Sequence, residues 1–299
     1  MRTVFFAALA LCATAACAQS AGTPAPALEP EIALGAINHR PAPAPTLTEA
    51  YGTASPHQTG ELRVPPGKGP FPVAMLVHGG CWTAGFGAID NMRPLALWLT
   101  AHGVATWNVD YRELGSGGGW PGTFADWAAA QGHLKALAGR YPLDLARLSI
   151  LGHSAGVTAA AWLPAAQAAD GPIGAVKLLP VRATVALDGP LSVHPFIGAD
   201  AEICGRPVIE PLLGGSPDKV PGHYQAIDPL VHPPQVRSVT VVTAALPPQD
   251  PALLTLLRQR KIVLNMIQTP DPWHFQFLVP GTRDFTAIAP ALLAATGGK

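Results

Sequence analysis

Six short apolar runs constrain this chain more than any other feature: Pro72 to Val77, Val104 to Val109, Leu148 to Leu151, Ala183 to Leu187, Val239 to Thr243 and Ile262 to Ile267. They are continuous rather than alternating, as expected of strands covered on both faces. Between them lie longer patterns near helical spacing. Met92 to Ala101 carries Leu95, Trp98 and Leu99, and Phe124 to Ala138 carries Trp127, Leu134 and Leu137. Ala155 to Ala169 is Ala-rich, and Leu253 to Arg260 and Phe285 to Ala295 complete the series. Alternation of this kind specifies an α/β fold with a mostly parallel central sheet flanked by helices. In such sheets the ligand crevice lies beyond the carboxyl ends of the strands. Those ends carry His78, Asp110, Ser154 and Asp188.

The segments before the first run read differently. Arg2, the uncharged stretch from Val4 to Ala16 and the small-x-small pattern Ala16-Cys17-Ala18 predict a signal peptide over residues 1–18 and hence export, periplasmic or secreted. Lipid anchoring at Cys17 is the rival route, and no integral membrane span is expected. Residues 19–58, with Pro41-Ala-Pro-Ala-Pro45, predict an extended, poorly packed arm, within which Ile32 to Leu34 is a candidate edge strand. Residues 59–299 are expected to form the catalytic domain. Lys+Arg and Asp+Glu are 19 each, and charged residues make up only 13%. This balance gives no electrostatic basis for binding nucleic acid. Cys81 and Cys204 remain after the signal region and could pair in an oxidising compartment, although sequence does not place them within reach. No CxxC and no His pair at ligand spacing is present, so no metal is expected.

Gly152-His153-Ser154-Ala155-Gly156 follows an apolar run and precedes a helical pattern. This is the context in which G-x-S-x-G forms a nucleophile elbow, so Ser154 is the expected nucleophile. A serine hydroxyl needs a base, and His274, after the last apolar run, is the candidate. Asp250, shortly after the Val239 to Thr243 run, is the expected acid; Asp188 is the second candidate, and Asp271 is too close to His274 in sequence to be preferred. The oxyanion is expected to be held by the amide of Ala155 and by that of Gly80 or Cys81, in His78-Gly-Gly-Cys-Trp82.

Taken together, His78-Gly-Gly-Cys-Trp82, Asp110-Tyr-Arg112, Gly152-His-Ser-Ala-Gly156 and His274 resemble the α/β-hydrolase-fold serine esterases. The similarity is to carboxylesterases and lipases with an HGG oxyanion loop, including an arylformamidase-like branch, and it spans about residues 60 to 296. The resemblance implies an eight-stranded sheet, a mainly structural role for Asp110-Tyr-Arg112, and neither metal nor organic cofactor. Two departures stand out. Gly156 is followed by Val157 rather than a second glycine, and the usual His-Gly-x-x-Asp around the acid is replaced by Thr243 through Asp250.

Residues 189–235 are proline-rich and form a candidate pocket-covering insertion. Trp82, Trp120, His153 and Trp273 are candidate lining residues for an apolar pocket. The expected function is an exported serine hydrolase that cleaves a small uncharged carboxylic ester through an acyl-enzyme. Hydrolysis of aryl-formamides or peptides on the same residues, and a non-catalytic binding protein on the same fold, are the alternatives.

Overall fold

A computed structural model describes residues 27–33, 36–37, 40–165 and 178–299. The signal segment with Cys17, Leu34, and the last four residues of the Ala155 to Ala169 pattern lie outside the described residues. Eight strands form one sheet: β1 (Leu47–Ala50), β2 (Thr59–Arg63), β3 (Phe71–Val77), β4 (Ala105–Val109), β5 (Leu143–His153), β6 (Ala183–Leu187), β7 (Ser238–Thr243) and β8 (Val263–Gln268). Their spatial order is β1-β2-β4-β3-β5-β6-β7-β8. The pairs β1/β2 and β2/β4 are antiparallel, and every other pair is parallel.

The helices account for the continuous apolar runs. Along β3, Val73, Met75 and Val77 point to one face, where they pack with Phe124, Trp127 and Leu134 of helix α2 (Gly122–Ala138). Ala74 and Leu76 point to the other, against Leu95 and Leu99 of α1 (Arg93–Ala101) and Phe285, Ile288 and Leu292 of the C-terminal helix (Arg283–Thr296). A strand buried on both faces has no polar side to reveal its period. β8 is the exception: as an edge strand it leaves Val263 and Met266 exposed.

Two parts of the amino-terminal expectation are corrected. Leu47–Ala50 is the outer strand of the sheet, while Glu31 to Ala33 form no strand. The arm is also tied down. Trp273 Nε1 donates to the Glu29 carbonyl at 2.8 Å, Gln276 Nε2 to that of Pro30 at 2.9 Å, and the Arg283 amide to the Glu29 carboxylate at 3.0 Å. The arm therefore braces the segment that carries His274.

Between β6 and β7, three short helices form within the proline-rich segment: α4 (Ala199–Ile203), α5 (Ile209–Leu213) and α6 (Pro221–Ile227). The Asp200 carboxylate holds this segment by accepting from the amides of Gly198, Val208 and Ile209 at 3.0, 2.7 and 2.9 Å. Among the described residues, no helix is long and apolar enough to cross a membrane.

Candidate active site

β5 ends at His153, and Ser154 follows in the left-handed region, with φ 50°. A single 3-10 turn (Ser154–Gly156) then leads into α3 (Val157–Trp162). A non-glycine residue with this φ is strained, and it is held because the surrounding backbone leaves no alternative. A β-carbon on Gly152 would lie 2.6 Å from Val157 Cα, and one on Gly156 would lie 2.7 Å from the His78 carbonyl oxygen. The two glycines are thus what lets strand, turn and helix fold back on one another.

The loop after β3 lies directly against the serine, since a β-carbon on Gly79 would be 2.7 Å from Ser154 Cβ. Gly80, Cys81 and Trp82 all have positive φ, at 125°, 54° and 49°. The far end of this loop is anchored twice. The Leu114 amide donates to the Trp82 carbonyl at 2.7 Å, and a Cys81–Cys204 disulfide joins the loop to the end of α4, with Cα atoms 6.0 Å apart.

His78 is fully buried at the base of the loop. Its Nδ1 faces the Gly79 carbonyl at 2.6 Å and its Nε2 faces Asp110 Oδ1 at 3.2 Å. Both partners only accept, an arrangement that favours the doubly protonated ring. Burial works against this charge. The hydrogen bond that His78 donates to Asp110 and the carboxylates of Glu113 and Asp110 outweigh it, so the pKa of His78 is raised. The Tyr111 hydroxyl donates to the His78 carbonyl at 2.9 Å, and Arg112 pairs with buried Asp126 at 2.7 Å. Asp110-Tyr-Arg112 is therefore scaffolding under the loop.

The carboxylate that meets His274 is Asp188, not Asp250. Asp188 sits just beyond the end of β6, in the left-handed region at φ 46°, and accepts from His274 Nδ1 at 2.7 Å. The loop after β7 completes its shell, with the amides of Ala244, Ala245 and Leu246 donating at 2.9, 3.0 and 3.2 Å. Burial alone would raise the pKa of Asp188; the hydrogen bond and charge of His274, with the amides of Ala244 and Ala245, lower it instead, so the group is ionised. A proton held on Nδ1 leaves Nε2 of His274 with a free lone pair, as a base requires. β5 and β6 are neighbours with His153 opposite Leu187, so the residues that follow, Ser154 and Asp188, emerge side by side. A β-carbon on Gly189 would lie 2.7 Å from Ser154 Cα.

Asp250 instead caps the helix Pro251–Gln259, accepting from the Ala252 amide at 2.8 Å. Asp271 is paired with Arg283. Three of the four candidate lining residues also lie elsewhere. Trp120 stacks on His223 at 4.5 Å, and Trp273 is engaged by Glu29. His153 is buried behind His274, its ring 4.7 Å from that ring and its Nε2 donating to the His274 carbonyl at 3.0 Å. Trp82 does line a pocket beside Ser154, which Ala155, Phe196 and Ile209 also help to form. A larger cleft of about 560 Å³, between Arg182, Arg237 and Arg260, lies at the opposite, amino ends of β6 and β7.

Two buried groups beside the site titrate in opposite directions. Burial, followed by the charge of His274, pushes the pKa of His153 down to about 3. Between pH 6.5 and 3 the unfolded chain takes up a proton that folded His153 refuses, so stability falls with falling pH. Burial pushes Glu113 up to about 7. Between pH 4.5 and 7 folded Glu113 keeps a proton that the unfolded chain has lost, so here stability falls with rising pH. His153→Gln should remove an acid-side loss of about 3 kcal/mol between pH 6.5 and 4, and Glu113→Gln should flatten the neutral limb. Urea unfolding at pH 4, 5.5 and 7.5 checks both; limbs that do not move refute the assignments.

A mostly parallel sheet in this strand order, with a left-handed serine beyond its fifth strand, is the α/β-hydrolase fold. Within that class, the chain belongs to the BD-FAE family, whose model matches residues 62–241, more than half of the sequence. No curated protein matches the sequence. Among solved structures, the chain is similar to esterase B from Lactobacillus rhamnosis, with 17% identity, a TM-score of 0.65, and 86% of this chain and 89% of that one covered. It is similar to the thermophilic esterase Est2 of Thermogutta terrifontis in a propionate-bound structure, with 16% identity, a TM-score of 0.55, and 84% and 94% covered. It is also similar to a bifunctional GH43-CE protein of Bacteroides eggerthii, with 19% identity, a TM-score of 0.64 and 84% of this chain covered. The chain spans only 38% of the length of that protein. These likenesses support the α/β-hydrolase reading and give no support to the arylformamidase-like branch.

Proposed function

We propose that this protein is an exported serine hydrolase that cleaves small uncharged carboxylic esters through an acyl-enzyme. The observation that carries the reading is the His274 Nδ1–Asp188 hydrogen bond of 2.7 Å, made beside a serine held at φ 50°. Ser154 attacks the acyl carbon while His274 Nε2 takes its proton and then returns it to the leaving alcohol. Asp188 keeps the other ring hydrogen in place and stabilises the imidazolium. The amides of Ala155 and of Gly80 or Cys81 receive the oxyanion. Water then attacks the acyl-enzyme, with His274 again as base, and frees the acid. Esterases among the structural neighbours support the choice of ester substrate, one of them solved with propionate bound. Export is supported by the signal-like segment 1–18 together with the Cys81–Cys204 disulfide, which fits an oxidising compartment.

The alternative of a non-catalytic binding protein rests on the altered loop after β7. That loop supplies three amides to Asp188, so its divergence does not argue against catalysis. A fluorophosphonate probe should label Ser154 covalently in the folded protein and fail to label Ser154→Ala. Absence of labelling on folded wild-type protein would overturn the serine-hydrolase reading.

A further inference from the structure

The disulfide does more than fasten a loop, because both of its cysteines line the pocket beside Ser154. That pocket offers only about 20 Å³. A water-sized group needs about 10–15 Å³ measured in the same way, so the space admits one methyl-sized group. Apart from Ser154 itself its side chains are almost all apolar; the Asp200 carboxylate is the other exception, and it is held by three backbone amides. Neither His274 nor Asp188 is part of the lining, whereas Ala155, Cys81 and Trp82 are. His274 must reach the leaving oxygen, so the alcohol departs on its side. The pocket beneath Ala155 and the oxyanion loop therefore receives the acyl group. Its two walls come from chain segments 123 residues apart, and the disulfide is the covalent bond between them.

We propose that the Cys81–Cys204 disulfide determines acyl specificity: it holds the two walls at methyl width, so the oxidised protein accepts a two-carbon acyl group and excludes longer ones. This rests on the serine-esterase reading above. The opposing wall is firm. Phe196 and Ile209 are buried at 3% and 1% exposure, and the Asp200 hydrogen bonds fix the chain between them. A longer acyl chain enters only when the oxyanion loop and the 196–209 segment separate. Reduction by a water-soluble phosphine permits this. The disulfide takes two electrons and becomes two thiols, their hydrogens come from water, and the phosphine leaves as its oxide carrying the water oxygen.

The test is the ratio of kcat/KM for p-nitrophenyl acetate to that for p-nitrophenyl butyrate. It is measured on the full chain oxidised, phosphine-reduced, and as Cys204→Ser, with identically treated Ser154→Ala as the blank. Excluding an extra methylene is worth about 10- to 200-fold, so the oxidised ratio should be at least about tenfold and should fall several-fold on reduction and in Cys204→Ser. Phe196→Ala keeps the disulfide and should lower the ratio by removing a lining side chain, which tests whether this pocket receives the acyl group; Cys204→Ser, whose folding circular dichroism checks, tests the disulfide if reduction unfolds the protein. An oxidised enzyme that takes butyrate as readily as acetate overturns the proposal, as does an oxidised ratio that stays unmoved in folded Cys204→Ser or after reduction. In those cases the enzyme is still active and labelled at Ser154. A protein that hydrolyses neither ester and takes no fluorophosphonate overturns the esterase reading and this proposal together.

Discussion

Replacing Asp188 by Asn is expected to lower kcat about 10⁴-fold, whereas Asp250→Asn should change it by less than about threefold, since Asn caps a helix as well as Asp does. The difference follows from what each carboxylate touches. Asp188 binds His274 Nδ1 at 2.7 Å and is ionised inside a shell of three amides. An amide at this position carries no charge to stabilise the imidazolium, and its NH₂ can present a donor where an acceptor is needed. His274 then holds the wrong tautomer, without a lone pair for the serine proton. Asp250 is spent on the Ala252 amide at the start of its helix, 2.8 Å away. Steady-state turnover of p-nitrophenyl acetate by both variants, with circular dichroism to establish folding, makes the comparison. A collapse of turnover in Asp250→Asn with Asp188→Asn nearly unaffected would reverse the assignment.

Gly152→Ala is expected to destabilise the fold by more than about 4 kcal/mol, a loss large enough to abolish soluble protein. The added methyl would stand 2.6 Å from Val157 Cα and closer still to the Gly156 carbonyl, and neither is a flexible side-chain end that can move aside. Relief would require pulling α3 away from β5, and Ser154 would move with it. Gly132 provides the control. It lies inside α2, where an added β-carbon would meet nothing within 4 Å, so Gly132→Ala should raise stability by about 0.5–1 kcal/mol. Urea midpoints of the two variants measure the contrast. A Gly152→Ala protein as stable as wild type would mean that the elbow is not held by this close approach.

The six strands legible in the sequence are those whose side chains are apolar on both faces. β2 escapes such a reading because it buries charge: Glu61 is 5% exposed and pairs with Arg93 at 2.6 Å, while Arg63 is 4% exposed. A carboxylate buried against an arginine of a distant helix leaves no hydrophobic signature in the strand that carries it. β1 is hidden in the Pro- and Ala-rich stretch for a related reason. It is an edge strand of four residues, LTEA, only half of them shielded from solvent.

The site divides along the same line. Sequence alone determined the strand–turn–helix around Ser154, the glycine-bearing loop opposite it and the position of His274 after the last strands, because each is a local motif whose backbone demands can be read over five or so consecutive residues. Tertiary structure alone decided which carboxylate meets His274, that Cys81 and Cys204 pair, and which side chains line the pocket. Asp188 is ionised and oriented by amides 56 to 58 residues further along the chain and by a histidine 86 residues away. Cys204 reaches Cys81 across 123 residues. Contacts of that kind depend on which strands lie side by side and where the intervening helices pack, and no local spacing encodes either.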